Sequence, residues 1–419
     1  MALLFLCLIF GTGRTQKIEA ADTETDQAAA AQDELLDTVG TDQETERAAV
    51  REKKGQQEKE AGDTETDQAA AAQDELLAEL DFDAIQQEVD SLLSSQQFSF
   101  AGTVRSLLQD GDPFRIFRAG NAVLSCAKTA FLAQKGLMKE LFLLVLAGAV
   151  LGSFSSLFEG KQVRDASFYM VYLLALALIL KNFQSSGENL KAVITSLVAF
   201  MRILTPSYYL AAAAAGGASS AVMFYQMLLL VILAVEKLLL ALVLPMIHIY
   251  LLIALVNDLS GEEILSHMTE LLETCVNGLL KSSLGVLVGM QMIRNLIAPA
   301  LDSLRQMALW RTAGMIPGIG NAVNAVTELV AGSAVLIRNC FGVTAMLVLL
   351  AAGMVPAVQL LVSGLSFRLL AAAAQPVSDK RIAGCLAAAG KGYAMLLRLL
   401  LTVEVLFLLT IAILAGTFS

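Results

Sequence analysis

The 419-residue chain is 56% hydrophobic and only 16% charged, with a mean hydropathy of +0.65, whereas an average soluble domain carries about 25% charged residues. This balance excludes a soluble globular protein and predicts a multi-pass membrane protein. Residues 22–90 hold 22 Asp/Glu and 5 Lys/Arg, a net charge of −17 within a chain whose total is −10, so the remainder is +7. An acidic segment joined to a mildly basic body lacks the basic footprint that nucleic-acid binding needs.

The cysteines and histidines predict no metal site. The five cysteines form no Cys-x-x-Cys pair and lie at no metal-binding spacing from His248 or His267, the two histidines of the chain. The sequence also lacks the His-Glu-x-x-His, Gly-x-Ser-x-Gly and paired intramembrane aspartate patterns of intramembrane hydrolases. We therefore expect no metal, no cofactor and no enzymatic activity.

The N-terminus has the pattern of an exported protein. Residues 2–10 are apolar and are followed by Gly-Thr-Gly, Arg14 and Lys17. These nine residues are too few to cross a bilayer, which takes about 20. We predict a signal peptide over residues 1–20.

Residues 21–80 form an acidic tail that contains a duplication. Residues 19–36 recur as residues 60–77 with a single difference, Ala21 against Gly62. Asp, Glu, Thr, Gln and Ala dominate the tail and offer too little apolar surface to offset chain entropy. We predict a solvated, disordered spacer.

Residues 81–136 are predicted to be an exported amphipathic helical segment. Ile85, Val89, Leu92 and Leu93 recur at helical spacing, and basic residues then accompany phenylalanines. Two interpretations stay open: a basic surface that lies along an anionic membrane face, and a small packed helical subdomain.

Residues 137–419 are predicted to form a membrane domain of about seven to nine apolar helices, so the expected fold class is an all-α, polytopic membrane helix bundle. Pro206 and the pair Gly216 and Gly217 interrupt the third and fourth apolar runs. We expect part of 203–235 to be re-entrant, because unwound backbone at membrane depth needs protein or water around it. The apolar runs are 141–158, 166–180, 192–215, 218–235, 238–256, 276–293, 321–337, 341–362 and 393–415.

The charges of the loops predict on which side of the membrane each loop lies. Residues 257–280 contain acidic residues but no Lys or Arg, which places this loop outside by the positive-inside rule. The basic loops around Arg294 and Lys380 are then inside, and eight crossings plus one re-entrant element satisfy these constraints. Ser260 and Glu263 form a capping-box pattern ahead of an amphipathic helix predicted to lie on the membrane or on a partner.

The stretch 314–338 is the strongest candidate for function, because it places polar and ionisable side chains in an otherwise apolar segment. Pro317 lies among glycines and ends any incoming helix, so a new helix is predicted to begin near Asn321. Asn321, Asn324 and Glu328 then fall within an arc of about 60° on that helix.

Glu328 needs a polar environment, since a carboxylate at membrane depth must face a bundle interior, a water-filled cavity or a partner. Arg338 is its candidate counter-charge, and Arg398 and Glu404 repeat the pattern of ionisable groups in the last apolar run. Alternatively, the stripe only holds helices together, with the small residues 331–334 allowing close backbone approach. The candidate pore or assembly residues are Asn321, Asn324, Glu328, Arg338, Gly216, Gly217, Pro317, Gly318, Gly320, Arg398 and Glu404.

Over most of residues 98–419, the chain resembles the family of stage III sporulation protein AE from endospore-forming bacteria. The motifs that carry the resemblance are Ile-Pro-x-Ile-Gly at 316–320, Thr-Glu-Leu-Val-x-x-Ser at 327–333, Ala-Gly-Gly-Ala-Ser-Ser-Ala at 215–221 and Gln-Pro at 375–376. The duplicated acidic tail departs from the family pattern.

This resemblance implies a multi-pass component of the mother-cell membrane around the forespore, within a transenvelope complex that links the two cells. The implied partners are other membrane proteins of the same sporulation operon and a forespore protein across the gap. Membrane lipids and a second copy of the chain are further expected partners, and nucleic acid is not.

A stand-alone secondary transporter is the alternative function. Broken helices and buried Glu328, Arg338 and Glu404 also suit the coupling of a substrate to an ion. An inverted repeat between the two halves of the chain would favour the transporter, and the sequence shows none by inspection.

The acidic loop provides a test of orientation. We expect Glu263→Cys, in a background without other cysteines, to react with a membrane-impermeant maleimide in intact cells, because the loop is predicted to lie outside the cytoplasm. Labelling that requires cell lysis would reverse the predicted orientation.

Overall fold

The computed structural model describes residues 81–93, 98–110, 120–155, 161–214, 218–260, 265–313 and 320–416. All secondary structure in these ranges is helical, which confirms the predicted all-α bundle. The expected signal peptide and acidic tail lie outside them. The helices are α1 (Phe82–Leu92), α2 (Phe100–Asp110), α3 (Gly120–Ser155), α4 (Lys161–Ala214), α5 (Ala218–Ala234), a π-helical segment (Val235–Val243), α6 (Leu244–Ser260), α7 (Ser266–Ala313), α8 (Gly320–Ala374) and α9 (Lys380–Gly416).

Five helical stretches of the described chain are long and apolar enough to cross a membrane, so this is a multi-pass membrane protein. The second of them runs from α5 through the π-helical segment into α6 without a break. The stretches are Tyr169–Ala211, Tyr225–Ser260, Ser266–Met290, Gly332–Ala374 and Lys380–Ala412.

Several runs that the sequence separates share one helix. Run 166–180 and residues 192–214 of the next run both lie in α4, and runs 321–337 and 341–362 both lie in α8. Charged residues between the runs, such as Lys181 and Arg338, do not interrupt a helix, since lysine and arginine are good helix formers. The predicted eight crossings plus one re-entrant element counted the members of each pair separately, whereas each pair lies in one helix. The expected domain boundaries stay predictions.

The expected breaks at proline and glycine divide into two classes. Pro206 lies inside α4 and does not end it, contrary to the predicted interruption. The helix instead ends at Ala214, and the next begins at Ala218 on the far side of the glycine pair. The break predicted at Pro317 falls between Ala313, the last residue of α7, and Gly320, the first of α8, on residues outside the described ranges, so it stays a prediction. A proline among glycines removes helix propensity over several residues, which a single proline does not.

Helices α8 and α9 form the central antiparallel pair, since residue numbers fall along α8 as they rise along α9 at their contacts. A Cβ added at Gly390 would lie 3.3 Å from the Gly364 carbonyl oxygen, so the backbones approach closely at one end. Small residues permit this packing between membrane helices. The contacting pairs along the interface are Phe367 with Tyr393, Gly353 with Glu404, and Gly342 with Ile411.

The N-terminal helices α1 and α2 pack against α4 and α8, and their apolar residues belong to the same hydrophobic core as the bundle. The Phe100 ring lies 5.0 Å from the Phe341 ring and 6.3 Å from the Phe82 ring, between centroids. Gln86 joins the two short helices by accepting from Phe100 N at 2.8 Å and donating to Phe98 O at 2.7 Å. For α1 and α2, this packing favours the packed-subdomain interpretation over a helix that lies on lipid.

The predicted capping box of Ser260 and Glu263 stays a prediction, because Glu263 lies outside the described residues. Ser260 is the last residue of α6, and its hydroxyl donates to the Asn257 carbonyl at 2.8 Å. The Asn257 side chain accepts from Leu265 N at 2.8 Å, just before α7 begins. Asn257 therefore bonds the backbone at the start of α7.

The aromatic contact of α2 generates a stability prediction. Phe100→Ala should lower the free energy of unfolding by about 3 kcal/mol, because it removes a fully buried ring. Phe131→Ala is the matched control, since the Phe131 side chain is 57% exposed and its loss should change little. Thermal unfolding of both variants in detergent measures the difference, and equal effects would mean that α2 does not depend on this packing.

Candidate functional site

The predicted polar stripe lies at the start of α8, which begins one residue before the predicted Asn321. Asn321, Asn324 and Glu328 are in its first three turns, but their side chains are outside the described residues. The pairing of Glu328 with Arg338 therefore stays a prediction. Gly216, Gly217, Pro317 and Gly318 lie outside the described residues altogether, and Gly320 is the first residue of α8.

Arg338 is buried inside the bundle, with 1% of its surface exposed. Ala334, Ile337 and Phe341 on the same helix are also buried around it, and its Nη2 lies 3.4 Å from Asn339 Oδ1. The neighbouring Phe341 ring packs against Tyr208 of α4 at 6.2 Å between centroids. A guanidinium at this depth requires polar partners from the protein or from water, so Arg338 is a functional candidate on burial as well as on sequence.

Glu404 is the second buried ionisable residue, with 7% of its surface exposed. Its carboxyl group packs against the backbone of α8 at Gly353, where an added Cβ would overlap Oε1. Among the described residues, Oε1 has no hydrogen-bond partner. A carboxyl group in this position requires a proton, a cation or water.

The two buried groups do not form a pair with each other. Glu404 faces α8 at Gly353, which is 15 residues from Arg338 on the same helix. At 1.5 Å per residue this separation is about 22 Å. Among the described residues, Arg338 of α8 and Glu404 of α9 thus lie at separate depths in the bundle.

Arg398 has a different environment from Glu404, although both lie on α9. Its side chain is exposed, and Nη1 donates to Asn277 Oδ1 of α7 at 2.9 Å. Glu404 faces α8, whereas Arg398 faces α7. The sequence suggested the same environment for both residues, but Glu404 lies in the interior and Arg398 lies on the surface.

A polar layer lies between α4 and α9 and was not predicted from the sequence. Asn182 Nδ2 donates to Tyr393 Oη at 2.6 Å, and Ser186 Oγ lies 3.2 Å from the same oxygen. The Tyr393 ring stacks on Phe367 of α8 at 5.2 Å between centroids. Asn182 and Ser186 are four residues apart, so they share a helix face. This spacing is the feature of the sequence that could have predicted the polar layer. The sequence indicated a connection between two apolar runs at this point, because Lys181 and Lys191 flank these residues.

His248 has a structural environment in α6. Its Nδ1 lies 2.9 Å from the Leu244 carbonyl oxygen, and its ring meets Phe183 edge-on at 5.3 Å between centroids. Gly187 of α4 leaves the space for this ring, because an added Cβ would overlap it. Within the described ranges, no group of three His, Cys, Asp or Glu residues could hold a metal ion.

The model of the family described as Stage III sporulation protein AE matches residues 98–417, a range that includes every helix from α2 to α9. Stage III sporulation protein AE of Bacillus subtilis (strain 168) is 22% identical over 291 residues, which cover 69% of this chain and 73% of that protein. No solved structure matches the chain.

The contact of Gly353 with Glu404 generates a paired test on one helix. Gly353→Ala should lower the free energy of unfolding by about 1–3 kcal/mol, because the added methyl group overlaps a buried carboxyl group. Gly332→Ala, where a Cβ meets nothing within 4 Å, should be neutral or stabilising by up to about 1 kcal/mol.

Combining Gly353→Ala with Glu404→Ala should recover part of the loss, since the shorter side chain vacates the position of the added methyl group. Denaturant or thermal unfolding in detergent measures all three variants. Equal effects of the two glycine substitutions would contradict the close contact.

Proposed function

This chain belongs to the stage III sporulation protein AE family, and we propose that it is a membrane component of the complex that crosses the envelope between mother cell and forespore. The family match carries the proposal, since it extends over nearly the whole helical bundle and connects the chain to sporulation. The five candidate membrane stretches suit a multi-pass subunit. We infer a conduit or assembly role and not a catalytic one.

The proposed location is the mother-cell membrane that surrounds the forespore. The proposed partners are the other membrane proteins of the same sporulation operon, a forespore protein on the opposite membrane and further copies of this chain. These follow from the family resemblance. Residues 257–280 are acidic and lack Lys and Arg, which supports an orientation in which the connection between α6 and α7 faces the space between the two membranes.

The packing of the N-terminal helices points to the opposite orientation, because Phe341 and Asp258 lie at opposite ends of the α8–α9 pair: Gly342 contacts Ile411, whereas Gly384 contacts Asp258. Helices α1 and α2 contact the bundle at Phe341, three residues beyond Arg338. If the N-terminus is exported, this end of α8 lies towards the space between the membranes. The polar stripe at Asn321, Asn324 and Glu328 then lies 13 to 20 residues before Phe341, or about 20–30 Å further towards that space along α8. Labelling of Glu263→Cys decides between the two orientations.

Buried ionisable groups support a role beyond packing. Arg338 and Glu404 sit in the interior, and the polar layer around Tyr393 lies between them and the other end of the bundle. Such groups are costly in a membrane and commonly mark ion or substrate paths or sites of subunit contact. We propose that they contribute to a hydrated path or to ionic contacts with partner subunits.

Glu328→Gln tests this proposal in sporulating cells. The substitution keeps the shape and hydrogen-bonding capacity of the side chain but removes its charge. We expect the protein to accumulate at normal levels and to insert in the membrane, while the yield of heat-resistant spores falls strongly. Immunoblotting of membranes and spore counts measure the two effects separately.

Asn324→Leu is the companion variant, because it removes polarity without changing charge. Normal spore yield in Glu328→Gln, together with failed assembly in Asn324→Leu, would leave the stripe as a packing element, since interhelical polar contacts are worth only about 0.6 kcal/mol and need no net charge. Ion-coupled transport by the purified chain alone in proteoliposomes would instead favour the stand-alone transporter.

A further inference from the structure

The surface between α7 and α9 contains a groove of about 540 Å³. This volume is within the range of about 300–1,000 Å³ that is common for small-molecule sites. Each helix contributes one face over two turns, with residues spaced at i, i+3, i+4 and i+7. The lining residues are Asn277, Leu280, Lys281, Leu284, Arg398, Leu401, Thr402 and Val405.

The two helices run parallel, which gives the groove two different ends. Helix α6 is antiparallel to α9, because Asp258 lies beside Gly384 whereas Leu251 lies beside Gly392. Leu265, just before α7, bonds Asn257 near the end of α6, and Asn277 further along α7 bonds Arg398, so α7 has the same direction as α9. The hydrogen bond from Arg398 to Asn277 then sets the register and places these two residues at one end of the groove.

That end of the groove is cationic. Arg398 and Lys281 are both exposed, and no carboxylate is among the lining residues. Neither cation forms an ion pair within the part of the chain that the structure describes. Arg398 donates one hydrogen bond to Asn277, although a guanidinium has five N–H donors. Two positive charges with unused donors therefore face outward.

The opposite end of the groove is apolar. Leu284 and Val405 lie two turns beyond Asn277 and Arg398, and Leu401 lies between the ends. The Leu401 side chain is 40% exposed and that of Val405 is 36% exposed. Both helices are candidate membrane stretches, and most of the apolar window of α7 is not buried in the bundle. The groove consequently joins a cationic end to an apolar surface of the kind that contacts acyl chains.

We propose that this groove binds one anionic phospholipid, with its phosphate held by Arg398 and Lys281 and an acyl chain lying along Leu284, Leu401 and Val405. A guanidinium matches the geometry of a phosphate and binds it through two hydrogen bonds. Basic pockets between membrane helices commonly bind anionic head groups. The absence of a carboxylate from the lining disfavours the ammonium group of a zwitterionic lipid. The proposal does not depend on the role in the envelope complex.

Native mass spectrometry of the full chain tests the proposal, after purification in mild detergent and equilibration with phosphatidylglycerol or phosphatidylcholine. The native protein should retain phosphatidylglycerol preferentially. The double variant Lys281→Gln with Arg398→Gln should bind it about tenfold more weakly, because two charge-assisted hydrogen-bonding groups are lost. Lys281→Gln alone should show part of this loss, and it removes no described hydrogen bond or ion pair.

The matched control is the double variant Arg368→Gln with Lys391→Gln, which removes two exposed cations that do not line the groove. It should retain phosphatidylglycerol as the native protein does. Equal losses in the two double variants would overturn the proposal, as would equal retention of phosphatidylcholine by the native protein. A photocrosslinker at Leu401 that captures a protein segment in cells, and no lipid, would show that the groove is a subunit contact instead.

Discussion

The bundle depends on how it accommodates polar groups in helices that are otherwise apolar enough for a membrane. Water is absent from the bilayer core, so each buried polar group must find protein, a proton, an ion or a hydrated cavity. Glu404 packs on the backbone of Gly353, and the Tyr393 hydroxyl accepts from Asn182. These contacts determine which faces of α4, α8 and α9 meet.

Small residues make those contacts possible. Gly353 admits the Glu404 carboxyl group, Gly187 admits the His248 ring, and Gly390 brings the α8 and α9 backbones together. Without a hydrophobic driving force between helices in lipid, close packing of this kind supplies much of the association energy. The glycines and the polar residues are therefore parts of one arrangement, and neither set is explained without the other.

The sequence predicts the features that depend on local chemistry. Its hydropathy predicts an all-α membrane bundle, which the described helices form. It does not predict the continuity of α4, because charged residues between apolar runs resemble a loop but do not unfold a helix. The separation of Arg398 from Glu404 onto different faces depends on the packing of α7 and α8, as does the contact of Glu404 with Gly353. Such contacts between distant positions have no local signal.

The most direct test of the account is purification of the tagged chain from sporulating cells in mild detergent, followed by identification and quantification of the proteins that accompany it. Membership in the proposed envelope complex predicts recovery with other membrane proteins of its operon at fixed stoichiometry, and loss of that recovery in cells that lack one of them. Recovery of the chain by itself, as a monomer or homo-oligomer under conditions that keep the other subunits associated with one another, would contradict the account.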